Sequence, residues 1–195
     1  MKTLCIYCGS SPGALDEYQE AARSLGNMLA TKKIRMVYGG GNVGLMGITA
    51  DAALAAGGTV IGVMPESLVK KEVAHRGLTE MHVVSSMHER KHLMAQLSDG
   101  FLALPGGIGT AEELLEAFTW SQLGIHLKPC GLLNICGFFD GLLMQLNRMV
   151  EDRFLRAEQV SQLIVEDRVE KLVERMLDAR TAVIDKWMDK EGIAT

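Results

Sequence analysis

Short apolar runs alternate along this chain with longer stretches in which apolar residues recur every three or four positions. An apolar run bounded by glycine or polar residues reads as a buried strand, and the longer spacing reads as an amphipathic helix. The pattern predicts strands at Thr3–Cys8, Arg35–Tyr38, Thr59–Met64, Met81–Val84, Gly100–Leu104, Cys130–Ile135 and Val160–Val165. It predicts helices at Leu15–Thr31, Gly44–Ala56, Met87–Gln96, Thr110–Gly124, Asp140–Glu151 and Val169–Leu177. The runs Val60-Ile61-Gly62-Val63-Met64 and Phe101-Leu102-Ala103-Leu104 show no polar alternation, so both faces of each strand are expected to be buried, as central parallel strands require. Alternation of strands and helices predicts an α/β fold: a Rossmann-like, doubly wound, mainly parallel sheet with helices on both faces, in a single domain. No composition shift marks a linker; residues 1–178 are expected to form the domain and 179–195 a C-terminal extension. Ligands of such sheets bind beyond the carboxyl ends of the strands, which narrows the search for chemistry to three loops.

Composition removes several function classes. At 195 residues, with 48% hydrophobic and 23% charged positions, the chain can close one substantial core and has no long segment too polar to fold. A net charge of −4 with scattered basic residues gives no footprint for nucleic acid, although a small anion can still be held locally. No stretch approaches the ~18 uninterrupted apolar residues of a membrane span. The first ten residues carry too short an apolar run for an export signal, so a cytoplasmic location without membrane contact is expected. Disulfides are then not expected among Cys5, Cys8, Cys130 and Cys136. Cys5 and Cys8 spell C-x-x-C, but an odd spacing within a strand points the two thiols to opposite faces, which argues for small buried hydrophobes.

The first loop is Ser10-Ser11, after the first strand. The second runs from Gly39 to Gly47 after the second strand and contains G-x-G-x-x-G at Gly39, Gly41 and Gly44. Its glycines, Gly40, Gly41 and Gly44 among them, leave backbone amides unscreened, so a ligand can approach closely; a tight connection without ligand is the alternative. The third loop, Pro105-Gly106-Gly107-Ile108-Gly109-Thr110, joins a strand to a helix. There backbone amides, a helix N-terminus and the Thr110 hydroxyl can converge on one phosphate monoester. No Lys-Ser/Thr pair follows the glycines, so this is not a triphosphate-hydrolysing loop. Glu112, Glu113 and Glu116 open the next helix, where acids can simply complement the helix dipole. With phosphate at the same helix end, however, they need a cation between, and Arg90 and Lys91 are the candidates. His88-Glu89-Arg90-Lys91-His92 also matches H-E-x-x-H, but Arg and Lys inside the motif place two cations beside any divalent ion, and no metal is expected.

The Gly39–Gly47 loop, Met87-His88-Glu89-Arg90-Lys91 and Pro105-Gly106-Gly107-Ile108-Gly109-Thr110-Ala111-Glu112-Glu113 together closely resemble the LONELY GUY (LOG) family. Its members are cytokinin riboside 5′-monophosphate phosphoribohydrolases, formerly labelled lysine decarboxylases. Cys8-Gly9-Ser10-Ser11, Val60–Pro65 and the segment from Thr119 to His126 also look like the family pattern, so the likeness runs from Thr3 to about Val165. The resemblance implies that Arg90 and Glu113 form the catalytic pair. It implies that Lys91, Gly107, Ile108, Gly109, Thr110, Ala111, Glu112 and Thr119 contact the nucleotide, and that Glu72 is a further substrate-contacting acid. It also implies a homodimer with the site near the subunit interface. Ala111, where a bulkier apolar residue is common, and the C-terminal extension depart from the pattern.

The chemistry agrees with that resemblance. Breaking the C1′–N bond of a purine-type nucleoside 5′-monophosphate builds positive charge on the ribose. A carboxylate beneath it stabilises that charge and directs a water to C1′, which suits Glu113. Arg90 stays protonated and so is expected to neutralise phosphate or hold Glu113 in place. His88, His92 and solvent are candidates for protonating the leaving base, and the pocket around Met46, His88 and Trp120 is expected to set base preference. A decarboxylase would need pyridoxal phosphate on a lysine, and the sequence supplies no lysine in a supporting setting, so no cofactor is expected. The alternative from another class is a non-catalytic nucleotide-binding or carrier protein. Against it stand Glu112 and Glu113, since a pure phosphate binder gains little from carboxylates beside its anion.

Overall fold

The computed structural model describes residues 1–69 and 74–180. Glu72 and residues 181–195 of the expected extension lie outside the described residues. Among the described residues the strands are β1 Thr3–Tyr7, β2 Arg35–Tyr38, β3 Val60–Pro65, β4 Glu80–Val84, β5 Gly100–Ala103, β6 Cys130–Leu133 and β7 Leu163–Glu166. They form one sheet in the order β4-β3-β2-β1-β5-β6-β7, parallel at every pairing. The helices are α1 Asp16–Thr31, α2 Gly44–Ala55, α3 Glu66–Val69, α4 Met87–Leu97, α5 Ile108–Gln122, α6 Asp140–Glu151, α7 Ala157–Val160 and α8 Val169–Asp178. None is long and apolar enough to cross a membrane.

The two-residue period of the strands sorts their side chains into two cores, as the doubly wound expectation requires. Leu4, Ile6, Met36, Tyr38 and Leu102 pack on one face beneath α1, α2 and α8. Cys5, Tyr7, Val37, Ile61, Val63, Phe101 and Ala103 pack on the other beneath α4, α5 and α6. Cys5 and Cys8 fall into opposite cores. Burying a Leu or Phe side chain contributes about 1.5–3 kcal/mol. The central strands β1, β2 and β5 are buried almost throughout, so the loops leaving their carboxyl ends start from rigid supports.

Strand order reverses between β1 and β5: one half of the sheet grows through β2 and the other through β6. The loops after these two strands therefore diverge and open a crevice. At its floor the Gly9 N–H donates to the Pro105 carbonyl at 3.1 Å.

Three of the boundaries that differ from expectation alter local structure. The helix expected from Thr110 begins at Ile108, directly after Gly107, so Glu112 and Glu113 stand in its second turn and its first turn holds no acid. The strand expected at Val160–Val165 is β7 at Leu163–Glu166, because Ala157–Val160 turns helical with Gln159 folded back onto the Arg156 N–H. The strand from Cys130 stops at Leu133, where the Asn134 side chain accepts the Phe139 N–H and starts a 3₁₀ turn at Ile135–Gly137.

Candidate active site

Two glycine-rich helix starts meet at the crevice, and their hydrogen bonding separates them. At α2 the first amide donors are already used: Leu45 N–H donates to the Ser11 carbonyl at 3.4 Å and Met46 N–H to the Gly9 carbonyl at 3.3 Å. Gly44, at φ +58°, packs so closely on the Ser10–Ser11 backbone that no Cβ fits. At α5 the first helical donor is Ala111 N–H, bonded to the Gly107 carbonyl. The N–H groups of Ile108, Gly109 and Thr110 thus have no acceptor within the helix. A Cβ built on Gly107 or Gly109 would meet nothing within 4 Å, so those glycines leave open space, not a packing contact. Gly106 is bare for the other reason, since a Cβ there would overlap the buried Thr110 side chain. Anion-binding capacity therefore belongs to the start of α5.

α4 supplies the cations. Ser86 caps it by accepting the Glu89 N–H at 3.1 Å, and the Glu89 carboxylate accepts both the backbone N–H and the hydroxyl of Ser85. Those bonds hold Glu89 below the usual carboxylate range. The Glu of the H-E-x-x-H match is thus a capping residue, and His88 and His92 are exposed. Among the described residues no group of three metal-ligating side chains occurs. One turn on, the Arg90 side chain runs inward: Nε donates to the Val63 carbonyl at 3.1 Å and Nη2 lies 3.6 Å from Glu113 Oε1. A Cβ on Gly39 would overlap that guanidinium.

Glu113 stands in the second turn of α5 and lines the cleft together with Cys8 and Gly9, which follow β1. Burial raises its carboxyl above the ordinary range, Arg90 opposes the rise, and Glu112 and Glu116 add to it. Lys91 does not share this position. It donates to Glu112 at 2.5 Å and Glu116 at 3.0 Å, bracing α4 against α5. Burial alone would lower its ammonium, but the two carboxylates outweigh that and raise it. The result is a cleft of about 360 Å³ lined by Gly9, Gly39, Gly107 and Gly109, by the Arg90–Glu113 pair, and by Met46, Leu68 and Met87. Such a cleft can grip a phosphate, present a carboxylate to the group beyond it, and receive an apolar ring.

The sequence model of the family described as "possible lysine decarboxylase" matches residues 46–176. The chain is 50% identical over 165 residues to the cytokinin riboside 5′-monophosphate phosphoribohydrolase of Rhodococcoides fascians, covering 84% of this chain and 83% of that one. It is 49% identical over 154 residues to an Arabidopsis thaliana protein of the same designation, covering 79% and 71%.

The chain belongs to the LONELY GUY family.

The LOG fold itself is shared more widely. A molybdenum cofactor binding protein from Rippkaea orientalis superposes with TM-score 0.69 at 23% identity, over 91% of this chain and 97% of that one. At that identity only the architecture is in common.

Of the residues that the LOG resemblance assigned, the cleft brings together Arg90, Gly107, Ile108, Gly109, Thr110, Glu112 and Glu113, and Met46, expected beside the base, lines it too. Lys91 is held off the cleft by its two carboxylates. Ala111 and Thr119 lie with Ile108, Leu115 and Trp120 on a separate shallow face of α5. A Cβ on Gly40 would meet Met81, one on Gly41 would meet Met46, and one on Gly44 would overlap the Ser10–Ser11 backbone. His88 and Trp120, expected beside the base, do not line the cleft; Met87 and Leu68 do. Gly39 and Cys8-Gly9-Ser10 also line it without having been singled out as contacts. Their signal was positional: Cys8-Gly9-Ser10 follow directly on β1, which flanks the switch point, and Gly39 follows directly on the adjacent strand β2.

Proposed function

We propose that this LOG-family chain hydrolyses the N-glycosidic bond of a purine-type nucleoside 5′-monophosphate, a cytokinin riboside 5′-monophosphate or AMP, to free base and ribose 5-phosphate. The observation that carries this reading is the placement of buried Glu113 beside Arg90, one helical turn from the open amides of α5. The curated relatives bear the name of that activity.

In this reading the phosphate takes the amides of Ile108–Thr110, and the ribose lies over Glu113. As the C1′–N bond lengthens, its electron pair leaves with the base and C1′ becomes cationic. The Glu113 carboxylate stabilises that charge and removes a proton from the attacking water, whose oxygen bonds to C1′. The departing nitrogen takes its proton from solvent. Arg90, held by the Val63 carbonyl, keeps the buried carboxylate ionised enough to act as base. Phosphate binding, remote from the broken bond, supplies energy for orienting the sugar, so a nucleoside without phosphate loses turnover as well as affinity.

A carrier role leaves Glu113 without a purpose. The decarboxylase description needs a lysine amine for a Schiff base, and among the described cleft-lining residues none is a lysine, Lys91 being tied to Glu112 and Glu116. We further propose that the enzyme works in the cytoplasm as a homodimer. Support comes from the exposed apolar residues along and after α5, with Ile108 88% and Ile125 65% exposed, Ile108 standing at the rim of the cleft. The deciding experiment is incubation with AMP and with isopentenyladenosine 5′-monophosphate, followed by chromatography of released base. Release from either supports hydrolysis and their ratio gives the preference; no release from both overturns the reading.

A further inference from the structure

Gly39 backs the Arg90 guanidinium so closely that the backbone at Gly39 decides where the guanidinium can lie. That backbone is held from outside the cleft. Tyr38, fully buried, donates its hydroxyl to the Gly41 carbonyl at 3.1 Å. The His75 N–H donates to the Gly40 carbonyl at 3.0 Å, and Ala74 bridges antiparallel to Gly41. Gly40 sits at φ +79°, a conformation that glycine alone adopts without strain, so the turn depends on these external bonds for a single shape.

His75 is itself fixed. Its Nδ1 accepts the Gly77 N–H at 3.1 Å, which leaves Nε2 carrying the hydrogen and donating to Asp51 of α2 at 2.9 Å. The Asp51 side chain is 67% exposed and His75 only 7%, so Asp51 adds little packing and acts chiefly as the acceptor that orients the ring. Neither these two residues nor Tyr38 lines the cleft. We propose that the Asp51–His75 pair and the Tyr38 hydroxyl are positioning residues: they hold the Gly39–Gly41 turn rigid behind Arg90 and thereby set the approach of its guanidinium to Glu113. This rests on Arg90 and Glu113 being the reacting pair.

The test uses Tyr38→Phe, which removes one hydroxyl, Asp51→Leu, which removes the ring's acceptor, and Asp51→Asn, which keeps an acceptor oxygen. The first readout is a carbon-13 NMR titration of the Glu113 carboxyl, which needs no turnover. Arg90 opposes the burial that raises Glu113. A guanidinium that drifts therefore lets Glu113 titrate at higher pH. We expect that upward shift in Tyr38→Phe and Asp51→Leu and none in Asp51→Asn. In parallel, kcat should fall about ten- to a hundredfold in the first two, the scale of a small misplacement, with the KM for AMP within a few-fold and Asp51→Asn close to wild type. An unmoved Glu113 titration in folded Asp51→Leu overturns the proposal even if Tyr38→Phe fails to fold, and so does an equal shift in Asp51→Asn. Wild-type protein without hydrolysis would overturn the proposed function instead, and the titration would still decide the positioning role.

Discussion

Arg90 and Glu113 face each other at 3.6 Å, and each side chain is only 12% exposed. Water screens such a pair poorly, so the fixed charge of Arg90 acts strongly on the Glu113 carboxyl. Burial nevertheless raises the Glu113 carboxyl more than Arg90 lowers it. A carboxylate poised in this way can take a proton from water more readily than one on the surface.

Glu113→Gln keeps the shape of the side chain and removes its ability to carry charge or accept that proton. A loss of about 10²–10⁴-fold in kcat is expected, with AMP affinity by calorimetry within a few-fold of wild type. Wild-type turnover would remove Glu113 from the reaction.

The same variant should be more heat-stable than wild type at neutral pH. Glu113 has a raised carboxyl in the fold, so its contribution to stability is fully present below the ordinary carboxylate range. It is lost as pH rises through the higher folded value. Glutamine mimics the protonated state at every pH. The gain in melting temperature should therefore shrink on acidification and vanish below the carboxylate range; a gain that instead grows in acid has the wrong sign.

Activity should follow the opposite course. The proposed reaction needs Glu113 ionised, so kcat is expected to fall as pH drops through the raised value, and the acid limb of the pH–rate profile should lie above that of an ordinary glutamate. A limb at or below the ordinary value contradicts the burial argument.

Gly109→Ala separates stability from function. Its Cβ meets nothing within 4 Å, and alanine within a helix stabilises by about 0.5–1 kcal/mol over glycine. The methyl nonetheless stands in the open space through which, in the proposed binding mode, the phosphate approaches the α5 amides. A small rise in melting temperature with about a tenfold or greater rise in the KM for AMP is expected, on the scale of one charge-assisted hydrogen bond. An unchanged KM would place the phosphate elsewhere.

Ile108→Lys puts a charge on the most exposed large apolar residue at the cleft rim. Sedimentation should show the wild type as a dimer and the variant shifted toward monomer. A monomeric wild type rules out the proposed assembly.

Fold class was legible in the sequence because unbroken apolar strands such as Phe101–Leu104 have no other stable place than the middle of a covered sheet. The glycine-rich start of α5 was legible because glycines, a threonine and a helix start fall within six consecutive positions. Spacing in the H-E-x-x-H match does not reveal that Glu89 caps its own helix through Ser85. The division of labour between neighbours was hidden in the same way. Nothing in the order Arg90-Lys91 tells which cation turns inward to Glu113 and which bridges Glu112 and Glu116, because one residue step along a helix turns the side chain by roughly 100°.

By itself the sequence determined the α/β class with its mainly parallel sheet, a glycine-rich helix start near Gly107–Thr110 and the family, since each is written in short runs and motifs. Only the tertiary structure decided that the α2 helix start is already satisfied by Gly9 and Ser11, that Gly39 backs Arg90, and that Asp51, His75 and Tyr38 reach the same turn. These are contacts between strands and loops distant in the chain, and their partners are fixed by how the sheet orders its strands and not by any local preference.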